Sequence, residues 1–397
     1  MDITLLATAD WDHPFWTNKQ HVAVSLVDLG HRVLYLDSLG LRPPTLAARD
    51  RGRLWRRLRR CLAGPRQVRP GLWVVAPLQL PLRASDRIDR CNRLLLALSL
   101  RFAYWRLRFR SDLLWTYNPR TACLLDLHPY YRSLYHCVDA IDAQPGMNGP
   151  QLRRDEQRLC GLVDLVVTTT PFLQERCAPR ARRCVQFTNA VDVDHFRQAR
   201  DPQVRIPADL ESIPSPRLLF VGAIAAYKLN LSLLAELADR HPRWSIVLIG
   251  AVGEGDPSTT LTPIAHCLNI HLLGPRSYAE LPAYLRGADV GLIPALINDY
   301  TRAMFPMKFF EYLAAGLPVV ATPLPALEAH AAFLERATDA EGFAGAIERI
   351  LQRDPSHVPD VGAVLEAVSY RNRTRQMLQL LELAAGQPSG GVNGQRW

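Results

Sequence analysis

Short apolar runs alternate with amphipathic stretches through the first half of the chain. Runs at Ile3–Ala7, Arg32–Leu36, Leu72–Ala76, Leu113–Tyr117, Ser133–Cys137, Leu165–Thr169 and Cys184–Phe187 predict buried strands. Between most of them lie helical patterns, such as Lys19–Leu29 closed by Gly30 and Gln151–Cys160 closed by Gly161. The stretch Gln198–Pro216 holds four prolines and many charges without a clear period, as a linker does. After it the rhythm resumes, with strands expected at Leu218–Val221, Ser245–Ile249, Ile270–Leu273, Val290–Ile293 and Val319–Ala321, and helices at Asp339–Leu351 and Val361–Leu383. Strand–helix alternation of this kind implies parallel, doubly wound sheets. The expected organisation is an α/β protein with two Rossmann-like domains facing across a cleft: residues 1–197, a linker 198–216, residues 217–358, a C-terminal helix 359–385 returning to the N-domain, and a disordered tail 386–397. Ligands of open α/β sheets bind outside the carboxyl ends of the strands, so the interdomain crevice is where chemistry is expected.

Composition adds a location. With 48% apolar and 21% charged residues in 397, the chain reads as globular. The N-terminus lacks the basic flank and long apolar run of a signal peptide, and no stretch is long and apolar enough to span a bilayer, so a cytoplasmic protein is expected. The eight cysteines are scattered, with no CxxC pair or zinc spacing, and read as reduced thiols; no metal is expected. Net charge is +9. Arg49–Arg69 and Arg83–Arg110 together carry +14, leaving the rest of the chain at about −5. In Arg53–Leu62 the apolar Leu54, Trp55, Leu58, Cys61 and Leu62 form a stripe among arginines, the pattern of an interfacial helix on anionic lipid. Leu95, Leu98, Phe102, Trp105 and Phe109 also keep helical spacing and read first as a core-facing helix. Nucleic acid is the rival partner for the arginines, but no recognised nucleic-acid fold or base-stacking module accompanies them, so no nucleic acid is expected.

Candidate chemistry centres on PMKFFEYLAAGLPVVATP, Pro306–Pro323. Pro306 is expected at the first helical position and Gly316 at the helix end, which aims the helix N-terminus at the cleft. First-turn amides and the helix dipole favour an anion there, and Lys308 adds a full charge. Glu311, one turn on, can accept from a ribose diol; a lysine and glutamate three apart can also be a solvated helix pair. Only Lys19, Lys228 and Lys308 among 47 basic residues are lysine, which hints that a compact ammonium is wanted at those positions. Asp139 and Asp142 follow the strand ending near Cys137, where a carboxylate could deprotonate a hydroxyl or merely cap a turn. Asp10, Asp12 and His13 follow the first strand and can be base or acceptor contacts or a solvated loop. Lys19 and Gln20, at a helix start, can touch phosphate or lie on the surface.

The Pro306–Pro323 segment resembles the nucleotide-binding signature of GT-B glycosyltransferases, in which a basic residue holds the donor diphosphate and a glutamate binds ribose; the resemblance puts Lys308, beside Met307, and Glu311 in those roles. RLLFVGAIAAYKLNLSLLAELA (Arg217–Ala238) resembles the first C-domain strand, turn and helix, with Lys228 as a pyrophosphate contact. NIHLLGPRSYAELPAYLRGADVGLIP (Asn269–Pro294) resembles the base-holding strand and turn, with backbone at Pro275 and Arg276. LVDLVVTTTPFLQERC and FTNAVDVDHF resemble the end of the N-domain. The second acidic residue usual in retaining members, eight positions before the ribose glutamate, is Ala303 here, and the expected glycine–arginine pair is Gly222–Ala223. SLYHCVDA (Ser133–Ala140) is similar to the inverting glucuronosyltransferase of xanthan assembly, which implies Asp139 as catalytic base. The resemblance therefore implies an inverting transferase of a UDP-linked sugar onto a lipid-linked or polysaccharide acceptor. It implies no cofactor, lysines and a helix dipole at the leaving diphosphate, and a peripheral position on the inner face of the plasma membrane in cell-surface glycan synthesis. The rival readings are a nucleotide-sugar epimerase on the same fold, which would convert donor without acceptor, and a non-enzymatic membrane or polyanion binder, which would bind no nucleotide.

Overall fold

A computed structural model describes residues 1–13, 15–39, 59–61, 63–77, 86–254, 256–353 and 360–383. The first sheet contains β1 (Asp2–Leu6), β2 (Arg32–Leu36), β3 (Arg66–Arg69), β4 (Leu72–Val75), β5 (Leu113–Thr116), β6 (Arg132–Cys137), β7 (Leu165–Thr168) and β8 (Cys184–Gln186). Its order is β3-β4-β2-β1-β5-β6-β7-β8. All neighbours are parallel except β3, which runs antiparallel to β4 at the edge. The second sheet contains β9 (Arg217–Val221), β10 (Ser245–Ile249), β11 (Ile270–Gly274), β12 (Val290–Ile293), β13 (Val319–Ala321) and β14 (Glu335–Arg336), in the order β11-β10-β9-β12-β13-β14. Strand order therefore reverses between β1 and β5 in one sheet and between β9 and β12 in the other, and such switch points open crevices at the carboxyl ends.

Helices cover both faces. Those used below are α1 (Asn18–Asp28), α2 (Asp86–Leu107), α3 (Gly149–Leu162), α4 (Leu231–Arg240), α5 (Met307–Ala315), α6 (Ala340–Gln352) and α7 (Tyr370–Leu383). In the first sheet Ile3, Leu5, Tyr35 and Trp115 are fully buried against Val22 and Leu26 of α1. The same cluster takes Tyr370, Met377, Leu378 and Leu381 from α7, so the chain ends by packing on the domain where it began. The α1–α7 contact is fixed by polar bonds: Ser25 Oγ donates to the Tyr370 carbonyl at 3.2 Å, and the Tyr370 hydroxyl to Asn18 Oδ1 at 2.9 Å. In the second domain α4 and α6 bury Leu233, Leu234, Phe343 and Ile347 on one sheet face, while α5 covers the other with Phe309, Phe310 and Tyr312.

Four expectations are corrected. The antiparallel edge strand β3 was not expected, because RQVR pairs by its backbone at an exposed edge and has no apolar signature. Residues 198–216 are not a loose connection: Leu210 and Ile213 are buried in the second domain's core, and Ala208–Glu211 forms a helical turn. The helix expected over Val361–Leu383 is two, Gly362–Ala367 and α7, with Val191 bridging to Ser369 at the break. On α2 the core face is Leu96, Leu100, Ala103 and Tyr104, with Phe109 buried just beyond its end. Leu98, Phe102 and Trp105 of the expected core stripe instead point outward. Of the expected interfacial segment Arg53–Leu62, Arg59–Cys61 is helical and the rest lies outside the described residues, as does the tail 386–397.

Candidate active site

Helix α5 is held in place from three sides. Its ring of Tyr312 packs against Gly291 of β12, where a Cβ would lie 2.5 Å from the ring, and the Tyr312 hydroxyl accepts from the Val221 amide at 2.9 Å. Gly316 ends the helix in the left-handed conformation, φ 81°. The last carbonyls accept from Arg200: Nε donates to Ala314 at 3.0 Å and Nη2 to Leu313, which also takes the Gly316 amide, at 2.8 Å. A cation at the C-terminus also complements the dipole. Pro306 is the N-cap rather than the first helical residue, a shift of one position from expectation.

The N-terminus of α5 opens into a cavity of about 220 Å³ between the two domains. Thr17, Asn18, Lys19, Asp139 and Asn189 line it from one side, and Gly222, Ala223, Lys228, Pro306, Met307 and Lys308 from the other. Phe220, Val221, Leu292, Ile293 and Met304 supply apolar wall. All three lysines of the chain therefore meet at one place, which answers the compositional oddity. The turn bearing Ala223 depends on two glycines: at Gly250, φ 154°, a Cβ would fall 1.8 Å from the Gly222 carbonyl oxygen. That close approach admits only glycine.

Asp139 is half-buried at the cavity wall, just past β6. Desolvation raises its carboxyl pKa above the ordinary aspartate value, although Lys19 and Lys228 pull the other way. The lysines are perturbed in mirror fashion: desolvation lowers both ammonium pKa values, with Asp139 opposing. Lys19, 8% exposed, lies 5.6 Å from the centre of the Tyr117 ring. Behind it His136 Nδ1 meets the Tyr117 hydroxyl at 3.2 Å, and burial first, then Lys19, lowers the imidazole pKa to about 3. A neutral imidazole leaves the two lysines as the positive charge facing Asp139.

Neighbouring candidates part company here. Asp142 is bound by Arg176 at 2.8 Å and Arg153 at 3.2 Å, away from the cavity lining. Met307 and Lys308 line the cavity; Lys308 Nζ also pairs with the nearly buried Glu311 carboxylate, which does not. Pro275 and Arg276 lie outside the lining as well, and the Arg276 side chain is tied back to Asp209 and the Tyr284 hydroxyl, both at 2.6 Å. The loop after β1 is likewise separate. Asp12 pairs with Arg66 and Arg60, Asp10 Oδ1 accepts from the Ser38 amide, and His13 Nε2 reaches Glu254 of the second domain at 3.3 Å. Of that loop's candidates and Lys19, Lys19 alone faces the cavity.

Sequence reasoning missed Asn18 and Asn189. Asn18 Nδ2 donates to Asn189 Oδ1 at 2.8 Å, and Asn189 Nδ2 to the Phe305 carbonyl at 2.7 Å, so a buried amide relay ties α1 to the turn before α5. Asn18 sits beside Lys19 in the sequence, and Asn189 lies in FTNA, so proximity to singled-out residues was the available signal. The cysteines, all free, include one unforeseen cluster: Cys137 and Cys177 with Glu156, buried. Glu156 is already paired with Arg176 at 2.7 Å and accepts from Tyr135, and the hydrogen bond with Cys177, then burial, push the Cys137 thiol well above its ordinary pKa, so the group is a satisfied core network. A second group, Asp239, His266 and Cys267, lies largely exposed on the second domain, away from the cavity.

Residues 215–353 match the family described as glycosyl transferases group 1. A teichuronic acid biosynthesis glycosyltransferase of Bacillus subtilis, TuaH, is 28% identical over 228 residues, 53% of this chain and 55% of that protein. A D-inositol 3-phosphate glycosyltransferase of Corynebacterium aurimucosum is 26% identical over 224 residues, 51% and 52% of the two chains. The chain thus spans about half the length of the curated relatives it matches. Solved structures align along nearly the full chain: sucrose-phosphate synthase of Thermosynechococcus elongatus has a TM-score of 0.68 at 16% identity, covering 97% of this chain and 99% of that one. HepE of Anabaena in complex with UDP and glucose has a TM-score of 0.65 at 15% identity, covering 96% and 99%. Two doubly wound domains around a shared cleft give the chain the GT-B fold of those solved structures, and its second domain matches the glycosyl transferases of group 1 over residues 215–353.

Proposed function

We propose that the protein transfers a sugar from a UDP-linked donor to a lipid-linked or polysaccharide acceptor, with inversion at the anomeric carbon. The observation that carries the proposal is the convergence of Lys19, Lys228 and Lys308 with one carboxylate, Asp139, on a single largely apolar cavity. In such a medium fixed charges act more strongly than in water. Lys228, Lys308 and the amides at the start of α5 would take the donor diphosphate and stabilise it as it leaves, while Glu311 orients the Lys308 ammonium. Pro275 and Arg276 would hold the base by backbone alone, consistent with an Arg276 side chain engaged elsewhere. Asp139, across the cavity, would accept the proton of the attacking acceptor hydroxyl, and its raised pKa suits a base that must take a proton near neutral pH. UDP is favoured by the UDP-bound structural neighbour, and a cell-surface glycan acceptor, met by a protein peripheral on the inner membrane face, by the name of the Bacillus relative.

Inversion is favoured by Ala303, which is fully buried and offers no carboxylate where retaining enzymes place one. Turnover of an α-linked UDP-sugar and NMR of the product's anomeric proton test this. A β-linked product is expected. An α-linked product would refute inversion and the role of Asp139, and conversion of UDP-sugar without any acceptor would favour an epimerase.

A further inference from the structure

Helix α2 carries two apolar faces. Leu96, Leu100, Ala103 and Tyr104 bury one against β1, β2 and β5. On the opposite side Leu94, Leu98, Phe102 and Trp105 follow one another at intervals of four, four and three residues, and are 60%, 62%, 50% and 75% exposed. Large apolar side chains scattered singly on a surface need no explanation, but four in one continuous stripe do. Trp105 and Phe102 are neighbours, with ring centres 6.2 Å apart.

The charge around the stripe says what could cover it. Between Asp89 and Asp112 the chain has six arginines and no acidic residue. Arg90, Arg93, Arg101 and Arg106 are exposed on α2 itself, and Arg108 and Arg110 follow directly. At about 100° per residue, Arg101 and Arg90 lie just beyond the Leu94 edge of the stripe and Arg106 just beyond its Phe102 edge, while Arg93 lies nearer the core-facing side. A second basic segment meets the same face: the chain leaving Arg59–Cys61 brings Gly64 against Phe102, where a Cβ would lie 3.2 Å from the ring. A second copy of this face would set arginine against arginine. An anionic bilayer offers both shallow apolar depth and continuous negative charge. Among the described residues no helix is long and apolar enough to cross a membrane, so the arrangement is one that lies in the interface. The indole of Trp105 suits the headgroup level, and arginines can extend to phosphates while their stems stay on apolar surface.

We propose that the outward face of α2, centred on Leu98, Phe102 and Trp105, is the surface by which the protein docks on anionic lipid. This deepens the membrane reading above by naming the docking element. None of these side chains lines the interdomain cavity, so docking leaves it free to receive a headgroup-borne acceptor. Arginines supply the attraction that brings the protein to the surface, and the stripe supplies the insertion that keeps it there.

The test is co-sedimentation of the full chain with vesicles of equal phosphatidylglycerol and phosphatidylcholine, against vesicles of phosphatidylcholine alone. Binding to the anionic vesicles is expected to be at least about tenfold tighter than to neutral ones and to weaken as salt is raised. The combined change Leu98→Ser, Phe102→Ser and Trp105→Ser, and separately Arg90→Gln, Arg101→Gln and Arg106→Gln, should each weaken it at least about tenfold. Both variants should keep the wild-type melting temperature and UDP affinity, since no changed side chain lines the cavity. Wild-type vesicle affinity in the serine variant would overturn the proposal, as would equal binding to neutral vesicles. A wild-type dimer that the serine variant dissolves, with no vesicle binding, would overturn it in favour of self-association. Vesicle binding reads no sugar transfer, so failure of the transferase reading and failure of this one are separately visible.

Discussion

Asp139 and Asp142 differ by one helical turn in sequence and by everything in environment. Asp142 is clamped by two arginines, whereas Asp139 has Lys19 on its own side of the cavity and Lys228 on the other. The pair gives a contrast. Asp139→Asn should lower kcat by about 100-fold or more, the usual loss for a general base, while leaving UDP affinity unchanged. Asp142→Asn should instead destabilise the fold by about 1.5–3 kcal/mol in urea unfolding, because it weakens a charge-assisted bond to the largely buried Arg176, which keeps Glu156 as its other partner, with turnover of the folded protein close to wild type. The reverse pattern would exchange their roles. The base must be ionised to act, and burial raises its pKa, so the acid limb of kcat/KM should fall at a pH above that of an unperturbed aspartate. In the sequence the two were equivalent, each a carboxylate after a strand; what separates them is Arg153 and Arg176, brought in by α3 and the helix Pro171–Cys177, which no local pattern announces. The lysines were legible for the opposite reason, since their rarity in an arginine-rich chain marked them before their positions were known.

Elements were legible where burial imposes a pattern. The central strands of both sheets are buried on two faces and appear as short continuous apolar runs, and α5 was readable from Pro306 to Gly316 with one residue of displacement. Legibility failed where burial is one-sided or absent. The edge strand β3 has one buried neighbour and a polar sequence. In α2 the run Leu94–Leu100 is apolar around most of the helix, so spacing alone could not say which face meets the core. The anchoring of α5 is testable at Gly291. Gly291→Ala puts a Cβ within 2.5 Å of a Tyr312 ring that cannot retreat without breaking its bond to the Val221 amide. Overpacking there should cost about 1–3 kcal/mol in urea unfolding and weaken UDP binding by displacing the N-terminus of α5. A variant with wild-type stability and affinity would show that the contact does not position the helix.

At the scale of the molecule, the alternation of strands and helices pointed to two open sheets and a cleft between them. What it did not contain is how the two sides are joined: the Asn18–Asn189–Phe305 relay and the contact of His13 with Glu254 each pair residues more than a hundred positions apart. Those long-range contacts bring Lys19 from the first domain to face Lys228 and Lys308 from the second, and the central claim is that this shared cavity holds a nucleotide diphosphate. Calorimetric titration of UDP and of uridine into the wild-type protein and into Lys228→Ala and Lys308→Ala tests it most directly. The account predicts that the wild type binds UDP, that each substitution weakens UDP binding by about 1.5–3 kcal/mol, the range for a hydrogen bond to a charged group, and that any uridine binding is unchanged. UDP affinity unchanged in both variants would contradict it.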